Sequence, residues 1–306
     1  MEFRKLISFG KTSYVMSVPK SWIQKNNLQK GSLIAIDEKE GNLVLSSRHE
    51  KQNLEKKTEI DLSGLDPIIQ RILHALYKIG YDEVKLKYSD QETIDTIHQM
   101  LHDEMIGFEI IEQKPGYARI KTVAGGIETE FDNVLRRTYL LLKSMLESLL
   151  EAIKNEDIKT IKSVRFLEKN NNKYTGFCRR IMNRKEFKHS DILTYMYCLV
   201  EELEKVADQA KYLCDYFLDS KKTIAVDKDV KEVYAELLEL YTGCYELHYK
   251  FDMKNLLELF KKRKGIIRKA LELSKKEPKR ALVLSYANNM VQQIANILSF
   301  ELEMHL

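Results

Sequence analysis

The chain is short of the residues that usually announce chemistry. Among its 306 residues there are four cysteines, Cys178, Cys198, Cys214 and Cys244, with no CxxC spacing and all within helical patterns. That arrangement excludes a disulfide framework and the common zinc motifs, and it predicts small buried thiols in a reducing compartment. No GxGxxG, P-loop or GxSxG run occurs, and no serine, histidine and aspartate cluster in a way that suits nucleophilic catalysis, so no enzymatic activity is predicted. His98 and His102 stand one helical turn apart, but Gln99 follows the first where a zincin carries glutamate, which leaves two surface histidines. Long apolar runs are missing as well. The best, Tyr139 to Leu150, is broken by Lys143 and Glu147, and the N-terminus has no stretch of signal-peptide length. A cytoplasmic protein without membrane insertion is therefore expected.

What is present is ample for folding. With 44% hydrophobic and 31% charged residues the chain suits two or three folded domains, and its net charge of +4 matters less than where the charge lies. From Met1 to Ile36 the charged residues are Arg4, Lys5, Lys11, Lys20, Lys25 and Lys30 against Glu2 alone. Periodicity there predicts a strand at Arg4–Phe9, a Gly-Lys turn, a strand at Tyr14–Val18, a Pro-started helical turn, and a hairpin closed at Glu40-Gly41-Asn42. About fifty residues with so few large apolar side chains bury too little surface to stand as a monomer. A basic, β-rich surface attracts polyanions, because phosphate neutralisation is the largest sequence-independent term in DNA binding. A solvated β-domain used only for dimerisation is the alternative.

A polar segment, Arg48 to Lys57, predicts a linker. Beyond it the pattern is compact. Glu59–Leu62 alternates like a strand, Asp66-Pro67 opens a helix that Gly80 ends, Asp82–Tyr88 alternates again, and Asp90–Met105 is helical. Strands at Phe108–Glu112 and Ala118–Val123 follow, turned by Pro115-Gly116. The order β-α-β-α-β-β predicts a small sandwich of helices on a sheet. After Gly125-Gly126 the chain is almost entirely helical to Leu306, with Pro278 as its one proline. Six helices are predicted, at about 127–154, 157–184, 190–218, 227–250, 252–274 and 277–304. The third has a seam, Ile192, Met196, Leu199, Leu203, Val206, Ala210, Leu213 and Phe217, stepping by fours and threes as in a left-handed bundle. The set repeats. Asp157 and Asp252 cap equivalent helices, and one fixed shift lays Leu199 on Val283, Val206 on Met290, Ala210 on Ile294 and Leu213 on Ile297.

Two resemblances give these patterns names. The run Gly10-Lys11-Thr12-Ser13-Tyr14-Val15-Met16-Ser17-Val18-Pro19-Lys20-Ser21-Trp22, with Leu28 and Gly31 after it, resembles the AbrB/MazE/SpoVT family. That resemblance implies a swapped-hairpin β-barrel shared by two chains over residues 1–50, and a DNA contact through Arg4, Lys5, Lys11, Thr12, Ser13 and Lys20. The run Leu203-Glu204-Lys205-Val206-Ala207-Asp208-Gln209-Ala210 resembles the helix signature of the PhoU family, whose members regulate phosphate signalling and often hold iron or zinc on carboxylates. It implies that Glu204 and Asp208, one turn apart on one helix face, can hold a divalent metal, iron or zinc, with Glu201 on the flank. The same positions in the second repeat are Asn288 and Gln292, so only the first repeat retains the anionic pair. A solvated acidic stripe, neutralised by Arg136, Arg137 or Lys211, is the other account of these carboxylates.

The resulting expectation is a multi-domain α+β protein. A barrel at 1–50 is followed by an α+β sandwich at 58–124 and by all-α tandem three-helix bundles at 127–306, with repeats at about 127–218 and 227–304. The combination resembles archaeal phosphate-uptake regulators, which implies a homodimeric DNA-binding transcriptional regulator acting on double-stranded DNA. The rival is an adaptor that docks on a phosphate transporter component or a sensor kinase and uses its head only to dimerise. One further basic stretch, Lys261-Lys262-Arg263-Lys264 with Arg268, suits a solvated face, a phosphate contact or an acidic partner.

Overall fold

A computed structural model describes residues 3–39, 41–47, 55–123, 130–184, 187, 191–219 and 226–306. The chain divides into two compact units, Met1–Glu55 and Lys56–Leu306. Most of the linker expected at Arg48–Lys57, and the Gly125-Gly126 step, lie outside the described residues.

The first unit contains β1 (Ile7–Phe9), β2 (Ser13–Val15), α1 (Lys20–Lys25), β3 (Ala35–Lys39) and β4 (Asn42–Ser46). β1 and β2 pair antiparallel with Ile7 opposite Val15, and β3 and β4 pair with Ala35 opposite Ser46. These are two separate two-stranded ladders. Gly10, at φ 71°, makes the first turn in a conformation that a side chain would strain. The first hairpin is shorter than Arg4–Phe9 and Tyr14–Val18, since among the described residues no third strand holds its ends, and Pro19 lacks the amide to extend it. No side chain described in this unit is buried. Phe9 is 70% exposed, Tyr14 71% and Leu33 78%, so the stabilisation of about 1.5–3 kcal/mol that burial gives each such side chain is unrealised in a single chain.

The second unit begins with a two-layer module. Its elements are β5 (Lys57–Asp61), α2 (Ile69–Ile79), β6 (Glu83–Lys87), α3 (Gln91–Asp103), β7 (Phe108–Lys114) and β8 (Tyr117–Thr122), in the order the sequence predicts. The sheet runs β5-β6-β8-β7, with β5 and β6 parallel and the other neighbours antiparallel. Strand alternation puts Val84, Leu86, Ala118 and Ile120 on one face, where they bury Leu73 and Tyr77 of α2 and Ile94 and Ile97 of α3. Asp90 caps α3, its carboxylate accepting the Thr93 N–H at 2.8 Å. Asp66-Pro67 does not open α2. A turn held by Leu65 N–H to Leu62 O and Ile68 N–H to Leu65 O intervenes, and the helix starts at Ile69.

Six long helices follow: α4 (Phe131–Asn155), α5 (Ile158–Met182), α6 (Leu193–Asp219), α7 (Lys228–Tyr249), α8 (Met253–Lys276) and α9 (Ala281–His305). A 3-10 turn at Pro278–Arg280 precedes α9, because Pro278 has no amide to give the preceding helix. Asp157, Asp227 and Asp252 cap α5, α7 and α8. α4, α5 and α6 pack on one another, as do α7, α8 and α9, and the two triads meet through α6 on α9 and α4 on α7. The seam residues from Met196 to Phe217 are buried, as are Val283, Met290, Ile294 and Ile297 of α9. The α+β module packs on the helical region. α2 and α3 pack against α5, so β5 to β8 with their helices share one compact unit with α4 to α9.

Candidate functional site

In the first unit the predicted cations are spread along the hairpin and the helix that follows it. Arg4 and Lys5 precede β1, Lys11 and Thr12 occupy the turn, Ser13 opens β2 opposite Phe9, and Lys20 opens α1 behind Pro19. All six are exposed. Lys5, Lys11 and Lys20 have no acidic partner among the described residues, so their charge is available to an outside anion.

In the second unit the predicted carboxylates lie in a polar ladder between antiparallel α5 and α6. Arg165 pairs with Asp215 at one end. Next, Lys211 joins Glu168 at 2.7 Å and Asp208 at 2.8 Å. Glu204 accepts the Thr175 hydroxyl at 2.7 Å and pairs with Arg179, which also holds Glu201. From α2, Lys78 Nζ reaches to 3.8 Å from Glu204. Burial works against the charge of Lys211, but its bonds to Asp208 and Glu168 outweigh that and hold its pKa up at about 12. Arg179, nearly buried, is held below its ordinary value by desolvation. Burial, and then the Arg179 charge, push Lys78 down to about 8, against the opposing pull of the Glu201, Glu104 and Asp208 carboxylates.

Glu204 and Asp208 therefore do share one helix face, but each already faces a cation of the protein. Among the described residues no three histidine, cysteine or acidic side chains converge as metal ligands. Elsewhere on α5 two oxygens and one nitrogen lack partners, both amide atoms of fully buried Asn171 and the Asn172 Oδ1, while the Asn172 amide donates to Glu168 at 2.7 Å. The donors as arranged do not fit a divalent ion, which would have to displace Lys211 and Arg179 before the carboxylates could turn to it. In the second repeat Gln292 accepts from Arg263 at 2.5 Å, and Asn288 Oδ1 has no partner.

Sequence reasoning named Lys211 as a neutralising partner but missed Arg179, Lys78 and Glu168. Arg179 and Glu168 belong to another helix with no motif, and only the α5–α6 register brings them opposite. Arg136 instead lies 5.8 Å from the Tyr249 ring centre. A second buried pair was also missed, His248 Nδ1 to Glu301 Oε1 at 2.6 Å beside Tyr139. His98 and His102 have separate surface partners, Gln113 and Asp103. Burial pushes the Cys178 and Cys214 thiols up to about 12, which keeps them protonated at neutral pH. No helix of the described residues is long and apolar enough to cross a membrane. Set beside known families, curated proteins and solved structures, the chain finds no match in any of the three, so its mixed α+β fold with a helical C-terminal region is established by its own geometry.

Proposed function

We propose that this protein is a cytoplasmic, homodimeric DNA-binding regulator of phosphate uptake. Two first units interleave their hairpins into one AbrB-like barrel that lies on double-stranded DNA. The PhoU-like helical region, two three-helix bundles in tandem, receives the phosphate-linked signal, and no catalysis is involved. The observation that carries this is the state of the first unit: no described side chain is buried, and Lys5, Lys11 and Lys20 are exposed without acidic partners. A second copy supplies the missing core, and a duplex supplies the missing anions. The PhoU part rests on the Leu203–Ala210 signature and the helix repeat, and it needs no metal.

Salt titration of duplex affinity tests the reading. If Arg4, Lys5, Lys11 and Lys20 of both copies meet phosphates, the slope of log affinity against log salt is about −7. Replacing Lys11 and Lys20 by glutamate brings that slope to about −3.5 or shallower, while sedimentation still shows a dimer. Selection from random duplexes should return a two-fold symmetric site. A monomer in solution, or duplex affinity indifferent to those substitutions, refutes it and favours the adaptor that docks on a transporter or kinase.

A further inference from the structure

α5 and α8 occupy the same place in the two helix triads, and the comparison between them shows a face that is covered on one and bare on the other. Aligning the capping Asp157 with Asp252 lays Lys169 on Lys264, Lys173 on Arg268, Gly176 on Leu271 and Arg180 on Lys275. Three of the four positions are cationic in both helices. On α5 this face receives the α+β module. Lys169 Nζ is 3.7 Å from the Asp103 carboxylate, Lys173 donates to the His102 carbonyl at 3.1 Å, and Arg180 holds the Tyr81 carbonyl at 2.6 Å and Asp82 at 3.3 Å. Gly176 is buried beneath Tyr77 and Lys78. The chemistry that satisfies the α5 face is thus carboxylates together with the carbonyl-rich C-terminal turns of α2 and α3, the negative ends of two helix dipoles.

On α8 nothing of the kind is present among the described residues. Lys264, Arg268, Leu271 and Lys275 are exposed, Leu271 to 50%, and together with half-buried Ile267, Arg263 and a single carboxylate, Glu272, they line a shallow groove of about 410 Å³ in which cations outnumber anions four to one. Among the described residues Lys264, Arg268 and Lys275 have no acidic partner within ion-pair distance, although the neighbouring Lys261, Lys262 and Lys269 all do. Where α5 has a glycine under a tyrosine, α8 offers a leucine, so the missing occupant must supply apolar side chains as well as negative charge.

We infer that the Lys264–Lys275 face of α8 docks an acidic amphipathic helix of a partner protein, as the second-repeat counterpart of the α5 face that holds the α+β module. The occupant's leucine-like residues seat against Ile267 and Leu271, and its carboxylates and helix C-terminus meet Lys264, Arg268 and Lys275. This does not depend on DNA binding by the first unit, because the two surfaces share no residue.

The test uses the full chain and a synthetic amphipathic helix with leucines at heptad spacing flanked by glutamates, followed by fluorescence anisotropy. The expected result is saturable binding that the Lys264→Glu, Arg268→Glu double variant weakens roughly tenfold or more, with Lys143→Glu leaving it unchanged. The same peptide with glutamine for glutamate should bind roughly tenfold or more weakly to the unaltered chain. Hydrogen exchange should show protection gained along α8 when peptide is bound, and unchanged melting of the double variant excludes a folding defect. The inference is overturned by equal binding to the double variant. It is also overturned if duplex DNA or anionic vesicles, rather than the peptide, lose affinity on that change, or if α8 is already protected by self-association of the free chain.

Discussion

Asp82 sits where the α+β layer meets α5, and removing its carboxylate should cost more than removing either arginine that shares it. One oxygen is 3.3 Å from Arg180 and also pairs with Arg184, and the other accepts the Lys56 N–H at 2.9 Å. The Asp82 and Arg180 side chains are only 8% and 6% exposed, so solvent screens little. Asp82→Ala takes away the carboxylate that two guanidiniums share and orphans one amide. Breaking a buried pair from one side costs about 3–5 kcal/mol, and Arg180 keeps two carbonyl acceptors, so the lower part of that range, about 3–4 kcal/mol, is expected. Arg180→Met is milder. Arg184 still holds Asp82 and the Tyr77 carbonyl retains the Gly80 N–H at 3.0 Å, while the Tyr81 carbonyl loses a close donor and the Tyr77 and Phe108 rings lose the guanidinium over them, for about 2 kcal/mol. The assay is thermal and urea unfolding followed by far-ultraviolet circular dichroism, since the lone tryptophan, Trp22, belongs to the other unit. Asp82→Ala should lower the midpoint by about 6–16 °C. A loss below about 1 kcal/mol, or equal losses from the two variants, would falsify the view that a buried charge network latches the module onto α5.

Two further outcomes are expected. Leu203, fully buried in the α6 seam, should cost about 2–5 kcal/mol when cut to alanine, whereas Leu271→Ala on the exposed α8 face should stay within about 0.5 kcal/mol; similar values by denaturant titration would contradict the packing described. Lys78, held at about 8 against 10.5 for a free lysine, binds fewer protons folded than unfolded between those values. Its contribution to stability therefore rises with pH through that window, and its cost is fully in place below about pH 8. Arg179→Gln removes a repelling charge, so a lysine-labelled NMR titration should find Lys78 shifted back toward 10.5; a value that stays near 8 would show that Arg179 plays no part.

The helical half could be read almost residue by residue, because burial on a long helix leaves a stripe of fixed period. The seam from Met196 to Phe217 and the capping aspartates were visible as local patterns. The lesser errors fell at ends, where turns compete with helices, as at Asp66-Pro67, or where a short ladder has no neighbour, as in the first hairpin. The polar ladder was only half visible. Glu204 and Asp208 share a helix, so their spacing predicted a common face, but their cations come from α5 and α2, and no period within one helix encodes an antiparallel partner.

Local periodicity, capping chemistry and charge distribution thus settled the elements, their order and the basic character of the first unit, since each depends on residues within a few turns of one another. Tertiary packing alone decided that the α+β module seats on α5, that Arg179 and Lys211 occupy the carboxylates, and that the matching face of α8 is bare. Those outcomes depend on which surfaces exclude water together, and the residues concerned lie far apart along the chain.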